Sequence, residues 1–482
     1  MGLILPAVVC FALGFLLVSL GWSRQGSLLP DLLLRASLAV GYGLGVFSVT
    51  FFLARVCRVG NLMLVDLLVL GLLTAALLLA ARASRAAPGL TGSETRSHTS
   101  PAWLQRVLTG AFVIALCGAL YSGLLRLRAY PHGDGWDAFA IWNLHARFLF
   151  RGGPHWRDGF TALIPWSHPD YPLLLPATIA HFWTYLGRDD PRVPASIGFC
   201  FTFATVGVLY SALSILRGRA RAMLGASALL ATPSFIEQGV WQYADIPLSF
   251  FYLATIVLLC LHDEGTWDAS SQPTAGLLAL GGVAAGFAAW TKNEGVLFLG
   301  AIIFARQVIS IRDARRASPQ RPKIAFTRHS GLLLAGSAPV FLLVIYFKHW
   351  IAPPGDLFSD PSSMLHKVLN LTRYGAIINW YVKDFFRFGH WLLIPGSLLL
   401  AGVYFVAGIE DRDAARPGFR TSVLALVLTL AGYFAVYLIT PYDIYWHLRF
   451  SLGRLFLQLW PATVFLSFLR VRGFDRRFAE KA

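Results

Sequence analysis

A succession of nearly charge-free apolar blocks, each close to the length of a bilayer crossing, restricts this chain to a polytopic membrane fold. The blocks are residues 3–20, 33–52, 62–80, 107–125, 193–216, 222–240, 246–261, 276–290, 295–305, 332–347, 391–406, 423–439 and 455–469. A helix that spans the hydrocarbon core needs about 20 residues, with a range of about 17 to 25. Most blocks reach that length with their flanks; 295–305 is short and is expected as a half-helix or a tilted extension. The length rule gives about 13 spans, all α-helical. Composition agrees. Of 482 residues, 56% are hydrophobic and 14% charged, whereas a soluble chain carries roughly a quarter charged residues.

The net charge of +16 invites a nucleic-acid reading, but its placement argues against one. Lys and Arg gather in short connectors, as the positive-inside rule expects. Arg82, Arg85, Arg96 and Arg106 mark one basic segment. Arg306, Arg312, Arg315, Arg316, Arg321, Lys323 and Arg328 mark the largest, and Arg470, Arg472, Arg476, Arg477 and Lys481 close the chain. Placing these in the cytoplasm puts the C-terminus inside and, with an odd span count, the N-terminus outside. Arg55 and Arg58 are the exception, since the same count puts them outside. The first block lacks a basic leader and reads as a retained span. Cysteine contributes little: Cys10, Cys117, Cys200 and Cys260 sit inside apolar blocks, Cys57 lies in a connector, and no CxxC pair exists. Neither a metal knuckle nor a disulfide framework is indicated.

Two polar-aromatic segments, 127–172 and 348–390, interrupt the rhythm and suit a membrane interface, where Trp and Tyr settle. The linker 83–101 is rich in Ser, Thr, Gly, Ala and Pro. Counting sides puts both long segments on the outer face. It also leaves 172–186 unable to cross, so a horizontal or half-inserted helix is expected there. The division that follows is 1–106, N-terminal spans and linker, and 107–482, a transmembrane core with external loops 127–172 and 348–390.

The unusual polar residues fall on that same face. Asp134 sits between two glycines, Trp136 follows, and Asp137 heads an aromatic stretch. Asp is a favoured N-cap, so Asp137 has a purely structural explanation as well as a chemical one. His168 opens a His-Pro-Asp-Tyr-Pro turn. Asp245 heads an apolar block with Pro247 in its first turn, again open to a capping role. Lys292 and Glu294 sit between two blocks and have each other for partners. His447, Arg449 and Arg454 lead the final block; the arginines suit either phosphate recognition or snorkelling at the interface. Ionisable groups at membrane depth are functional candidates because burying them is expensive. Carboxylates able to take a proton from an acceptor hydroxyl, beside cations able to stabilise a departing phosphate, suit group transfer from a lipid-linked phosphate. There is no Walker A loop and no strand-borne GxGxxG.

On Asp134-Gly-Trp-Asp137, His168-Pro-Asp-Tyr-Pro172, Asp245 in Tyr-Ala-Asp-Ile-Pro and Lys292-Asn-Glu-Gly295, the chain resembles the GT-C superfamily of polyprenyl-phosphate-sugar glycosyltransferases, especially the bacterial glycosyltransferase family 39-like branch. The resemblance runs loosely over residues 107–461. It implies a polyprenyl-phosphate-sugar donor and a lipid, glycan or protein acceptor. It also implies an Asp general base, inversion at the sugar, and a site facing the periplasm or exterior of a bacterial inner membrane. Asp137, Asp134 and Asp245 are the candidate catalytic residues. Lys292, Glu294, His168, His447, Arg449, Arg454 and Trp136 are the candidate substrate contacts. No cofactor is expected, and nothing indicates a divalent metal. The chain departs from the family in having additional spans before the acidic loop and in lacking an adjacent acidic pair. The competing class is a transporter or flippase of lipid-linked saccharide, which calls for paired repeats and broken helices in corresponding halves; no such pairing is visible.

Overall fold

Each apolar block lies largely in helix, although the one at 391–406 becomes helical only from Gly396. The computed structural model describes residues 2–22, 25–85, 102–133, 135–267, 275–316, 323–358, 361–410 and 416–472. The N-terminal helices are α1 (Ile4–Leu20), α2 (Leu28–Val56), α3 (Leu62–Arg85) and α4 (Ala102–Ala129). After them comes a π-helical turn (Ala138–Trp142), then the short α5 (Asn143–Arg151) and α6 (Leu174–Leu186). The middle of the chain forms α7 (Arg192–Arg217), α8 (Arg219–Leu230), α9 (Pro233–Val240), α10 (Asp245–Trp267), α11 (Ala275–Thr291), α12 (Asn293–Arg316) and α13 (Lys323–Trp350). Then come α14 (Pro361–Leu369), α15 (Leu371–Phe385), α16 (Gly396–Ala407), α17 (Pro417–Ile439) and α18 (Ile444–Arg470). Among the described residues the only β pairing is an isolated bridge between Ile409 and Val471.

Nine described helices are long and apolar enough to cross a membrane, and α1, α11 and α16 are shorter apolar helices. Two expectations change. The short block at 295–305 belongs to α12, which has 24 residues, because residues 306–316, though largely polar, contain no Gly or Pro to break the helix. The block at 222–240 is not one helix. Pro233 has no amide hydrogen to continue the ladder, so α8 ends at Leu230 and α9 restarts with Pro233 at its first position. Residues 174–186 form a helix of 13 residues, about 20 Å at 1.5 Å per residue and too short for a crossing.

Glycine sets the tightest packing. A Cβ on Gly282 of α11 would sit 2.1 Å from the Leu333 carbonyl oxygen, and one on Gly336 of α13 would sit 2.1 Å from the Ala279 carbonyl oxygen. Gly14 and Gly43 let α1 and α2 approach in the same way, with carbonyl oxygens of Ala39 and Cys10 at 2.0 and 2.1 Å from the ideal Cβ positions. Small residues at such contacts are how helices associate where apolar burial alone gives no preference.

Polar links sort the helix ends into two groups. At one end Arg306 makes a bidentate pair with Asp263, at 2.6 and 2.9 Å. Arg420 reaches Asp313 at 2.7 Å, and Arg217 donates to the Leu469 carbonyl at 3.1 Å. Arg306 is therefore a buried ion-pair partner inside α12, not a loop residue. Arg96, Arg321, Arg476, Arg477, Lys481 and most of the linker 83–101 lie outside the described residues. The other end gathers the turns 240–245, 291–293 and 439–444 with α5, α6, α14 and α15, so both long polar-aromatic segments share one end of the bundle. Arg55, the exception to the charge count, lies there and donates from Nε and Nη2 to the Leu149 carbonyl of α5, at 3.0 and 2.7 Å.

Candidate active site

Asp245 opens α10 and is completely buried, so its carboxylate requires partners. Lys292, in the turn between α11 and α12, places Nζ 3.2 Å from Oδ1. Gln458 donates to Oδ1 at 2.5 Å, and Arg454 donates Nε to Oδ2 at 2.9 Å. Both carboxylate oxygens are occupied by donors from other helices. Asp245 therefore holds Lys292 and Arg454 in place; its position in the first turn of α10 is incidental to that task.

Arg454 continues the chain of contacts. Its Nη2 lies 2.8 Å from Asp245 Oδ2 and 2.7 Å from Asp137 Oδ2, and the guanidinium stacks 4.6 Å over the Tyr243 ring. Asp137 does not cap the helix it precedes. Its Oδ1 has no partner among the described residues. The segment that follows it is π-helical, a rare local widening that recurs at functional sites. A Cβ on Gly135, which has a φ of +107°, would strike the Tyr243 hydroxyl at 2.4 Å. Glycine there lets the turn seat Asp137 against α10 and α18. Asp134 lies outside the described residues.

Lys292 also pairs with Glu294 at 2.8 Å, so the local pairing open to these two residues is realised together with the link to Asp245. Burial works against the ammonium charge, but Asp245 and Glu294 outweigh it and hold the Lys292 pKa above the ordinary lysine value. The remaining sequence candidates divide. His168, with a φ of +49°, stacks on Tyr171 at 4.7 Å. His447 lies on the same face of α18 as Arg454, two turns earlier, and its Nδ1 is 2.9 Å from the Thr440 hydroxyl. Trp136 is exposed and contacts Phe139 and Trp166 at 5.3 and 5.8 Å. Arg449 does not join the cluster. On a helix with 3.6 residues per turn it is about 140° away from Arg454, and it is exposed beside Phe450.

The structure adds a second polar group. Asp170, from the His-Pro-Asp-Tyr-Pro turn, accepts from Asn293 Nδ2 at 2.8 Å and from Lys348 Nζ at 3.1 Å. Lys348 also donates to Asn293 Oδ1 at 2.7 Å. In the sequence, Asp170 and Asn293 stand only as parts of motifs, and Lys348 as the start of a loop. The available signal was ionisable residues beside proline and asparagine at the ends of apolar blocks. Among the described residues no group of three or more His, Cys, Asp or Glu is arranged to hold a metal ion.

Comparison with known families matches residues 175–334 to the dolichyl-phosphate-mannose-protein mannosyltransferase family. The match includes Asp245, Lys292 and Glu294, and runs from α6 into α13. No curated protein and no solved structure matches the chain. The all-helical membrane architecture and this match, which covers about a third of the chain, support the resemblance to the GT-C superfamily of glycosyltransferases drawn from the acidic and Pro-rich motifs.

Proposed function

We propose that this protein transfers a sugar from a polyprenyl-phosphate donor to an acceptor hydroxyl or amine, with inversion, at the periplasmic face of a bacterial inner membrane. The observation that supports this most strongly is the continuous chain Asp137–Arg454–Asp245–Lys292 at one end of the bundle. It sets a partly free carboxylate beside two held cations. A transporter would need its polar set near the bilayer midplane, whereas this set gathers where helices begin and end.

The roles follow from the contacts. Asp137 is the general base: its Oδ1 takes the acceptor proton as the acceptor oxygen or nitrogen attacks the anomeric carbon. The bond from that carbon to the phosphate oxygen breaks with its electron pair, and polyprenyl phosphate departs from the opposite side. Lys292 and Arg454 stabilise the charge that grows on the departing phosphate. Asp245 assists by fixing both cations before the reaction, so little reorganisation accompanies bond breaking. Asp134 is the rival base, and the acceptor is a lipid, glycan or protein.

The donor class is the decisive test. Purified protein in nanodiscs is assayed with polyprenyl-phosphate sugars and, separately, with soluble nucleotide sugars. Transfer from the lipid-linked donor alone is expected. Transfer from a nucleotide sugar in the absence of polyprenyl lipid would overturn the proposal.

A further inference from the structure

Tyr171 stands among the charged groups without being used by any of them. Its backbone closes the His-Pro-Asp-Tyr turn, donating to the His168 carbonyl at 2.9 Å. The ring packs against His168 at 4.7 Å, 14° from parallel, and against Trp142 at 5.7 Å, 27° from parallel. Lys292 Nζ lies 5.9 Å from the ring centre. The side chain is only half-buried, and its hydroxyl makes no hydrogen bond to any described residue, which leaves it open to a ligand. Burial, with Glu294, Asp170 and Asp137 nearby, raises its pKa well above the ordinary tyrosine value. The group is therefore an O–H donor held in a rigid ring.

A count of donors shows what is left over. An ammonium has three N–H donors; Lys292 directs two contacts at Asp245 and Glu294, leaving one. Arg454 uses Nε and Nη2, and its Nη1 has no partner among the described residues. The Tyr171 hydroxyl is the third unspent donor. Nearby, Asp137, Asp170, Asp245 and Glu294 outnumber Lys292, Lys348 and Arg454, so an entering phosphodiester meets an electrostatically crowded site. A neutral donor then adds contact to the phosphate without drawing a further carboxylate.

We propose that Tyr171 contacts substrate in this site, its hydroxyl donating to the phosphate of the lipid-linked donor beside Lys292 and Arg454; this rests on the donor class proposed above. The contact strengthens as the sugar–oxygen bond breaks and negative charge accumulates on the leaving phosphate. Tyr171 gives no proton away in the step and acts through hydrogen bonding alone.

Tyr171→Phe deletes only the hydroxyl and keeps both stacking contacts. The probe is a polyprenyl monophosphate, the proposed product, bound to full-length protein in nanodiscs, alongside transfer kinetics. A hydrogen bond to a charged group predicts that monophosphate affinity and donor kcat/KM fall about 10- to 100-fold, with thermal stability and acceptor KM unchanged. Wild-type affinity in Tyr171→Phe would overturn the assignment while leaving the donor class intact. Failure of the wild-type protein to bind the monophosphate would remove the donor class, and this inference with it. If Tyr171→Phe is unstable, 3-fluorotyrosine at position 171 provides a second route. The more acidic phenol is a stronger donor and should tighten monophosphate binding, and unchanged or weaker binding would count against the role.

Discussion

Asp137 and Arg454 meet at 2.7 Å, joining the turn after α4 to the middle of the last helix. The pairing replaces the helix cap that Asp137 would otherwise form, and it passes through Arg454 to the buried Asp245. Because Asp245 has no exposure and both oxygens engaged, its removal should act on the architecture of the site. Asp245→Asn leaves Lys292 and Arg454 with a neutral partner. Breaking a buried pair in this way costs about 3–5 kcal/mol. Thermal unfolding in detergent should show a marked loss of stability together with loss of transfer. A variant as stable as wild type would mean that Asp245 does not organise the cluster.

The face of α18 makes a sharper distinction. His447, Ser451, Arg454 and Gln458 recur at helical spacing, and Arg454 and Gln458 both reach Asp245. Arg449 points elsewhere. Arg449→Ala should keep donor kcat/KM within a few-fold of wild type, whereas Arg454→Ala should lower it at least about 10-fold. Equal losses in the two variants would show that the cluster does not set the donor contact.

Packing of α11 on α13 depends on Gly282. A Cβ there meets a backbone oxygen at 2.1 Å, which cannot move aside as a flexible side chain would. Overpacking of this kind costs about 1–3 kcal/mol, so Gly282→Val should lower the unfolding temperature and disturb Lys292 at the end of α11. Unchanged stability would show that the two helices can separate without loss.

A pH effect is expected at the edge of the same end of the bundle. A hydrogen bond from His390 to the Glu237 carboxylate, 3.1 Å long, raises the histidine pKa above its ordinary 6.5. The folded value exceeds the unfolded one. The pair's contribution is therefore complete below about 6.5 and is lost as pH rises through the higher folded value. His390 is more than half exposed, so screening keeps the effect small. Unfolding temperature measured across this window should fall with pH in the wild type and fall less in Glu237→Gln. The same slope in both proteins would remove the pair as its source.

The span pattern was legible because hydrophobic length is a property of contiguous residues. The break at Pro233 was legible in principle, since proline marks it, but the apolar run hid it. The reach of α12 past Ala305 was missed because its polar residues looked like a loop boundary. Asp137, Asp245, Lys292 and Arg454 were each visible as charges at block ends. Their mutual contact was not, since it depends on how α10, α12 and α18 pack. Arg449 and Arg454 are equivalent by composition and differ only in angle around a helix. Asp170 and Lys348 were visible only as ionisable residues at block ends, their link depends on packing, and Tyr171 carried no signal distinguishing it from a turn residue.

The central claim is that a carboxylate at Asp137 takes the acceptor proton. It is tested by turnover of purified Asp137→Asn, Asp134→Asn and Asp245→Asn proteins with a lipid-linked sugar donor. Asparagine keeps the size of the side chain, and no cap is lost at 137, so Asp137→Asn should fold normally. A general base contributes about 10²- to 10⁴-fold. Asp137→Asn should lose turnover by that factor while still binding polyprenyl monophosphate. Near-normal turnover by Asp137→Asn, with activity lost in Asp134→Asn, would move the base to Asp134 and contradict the account.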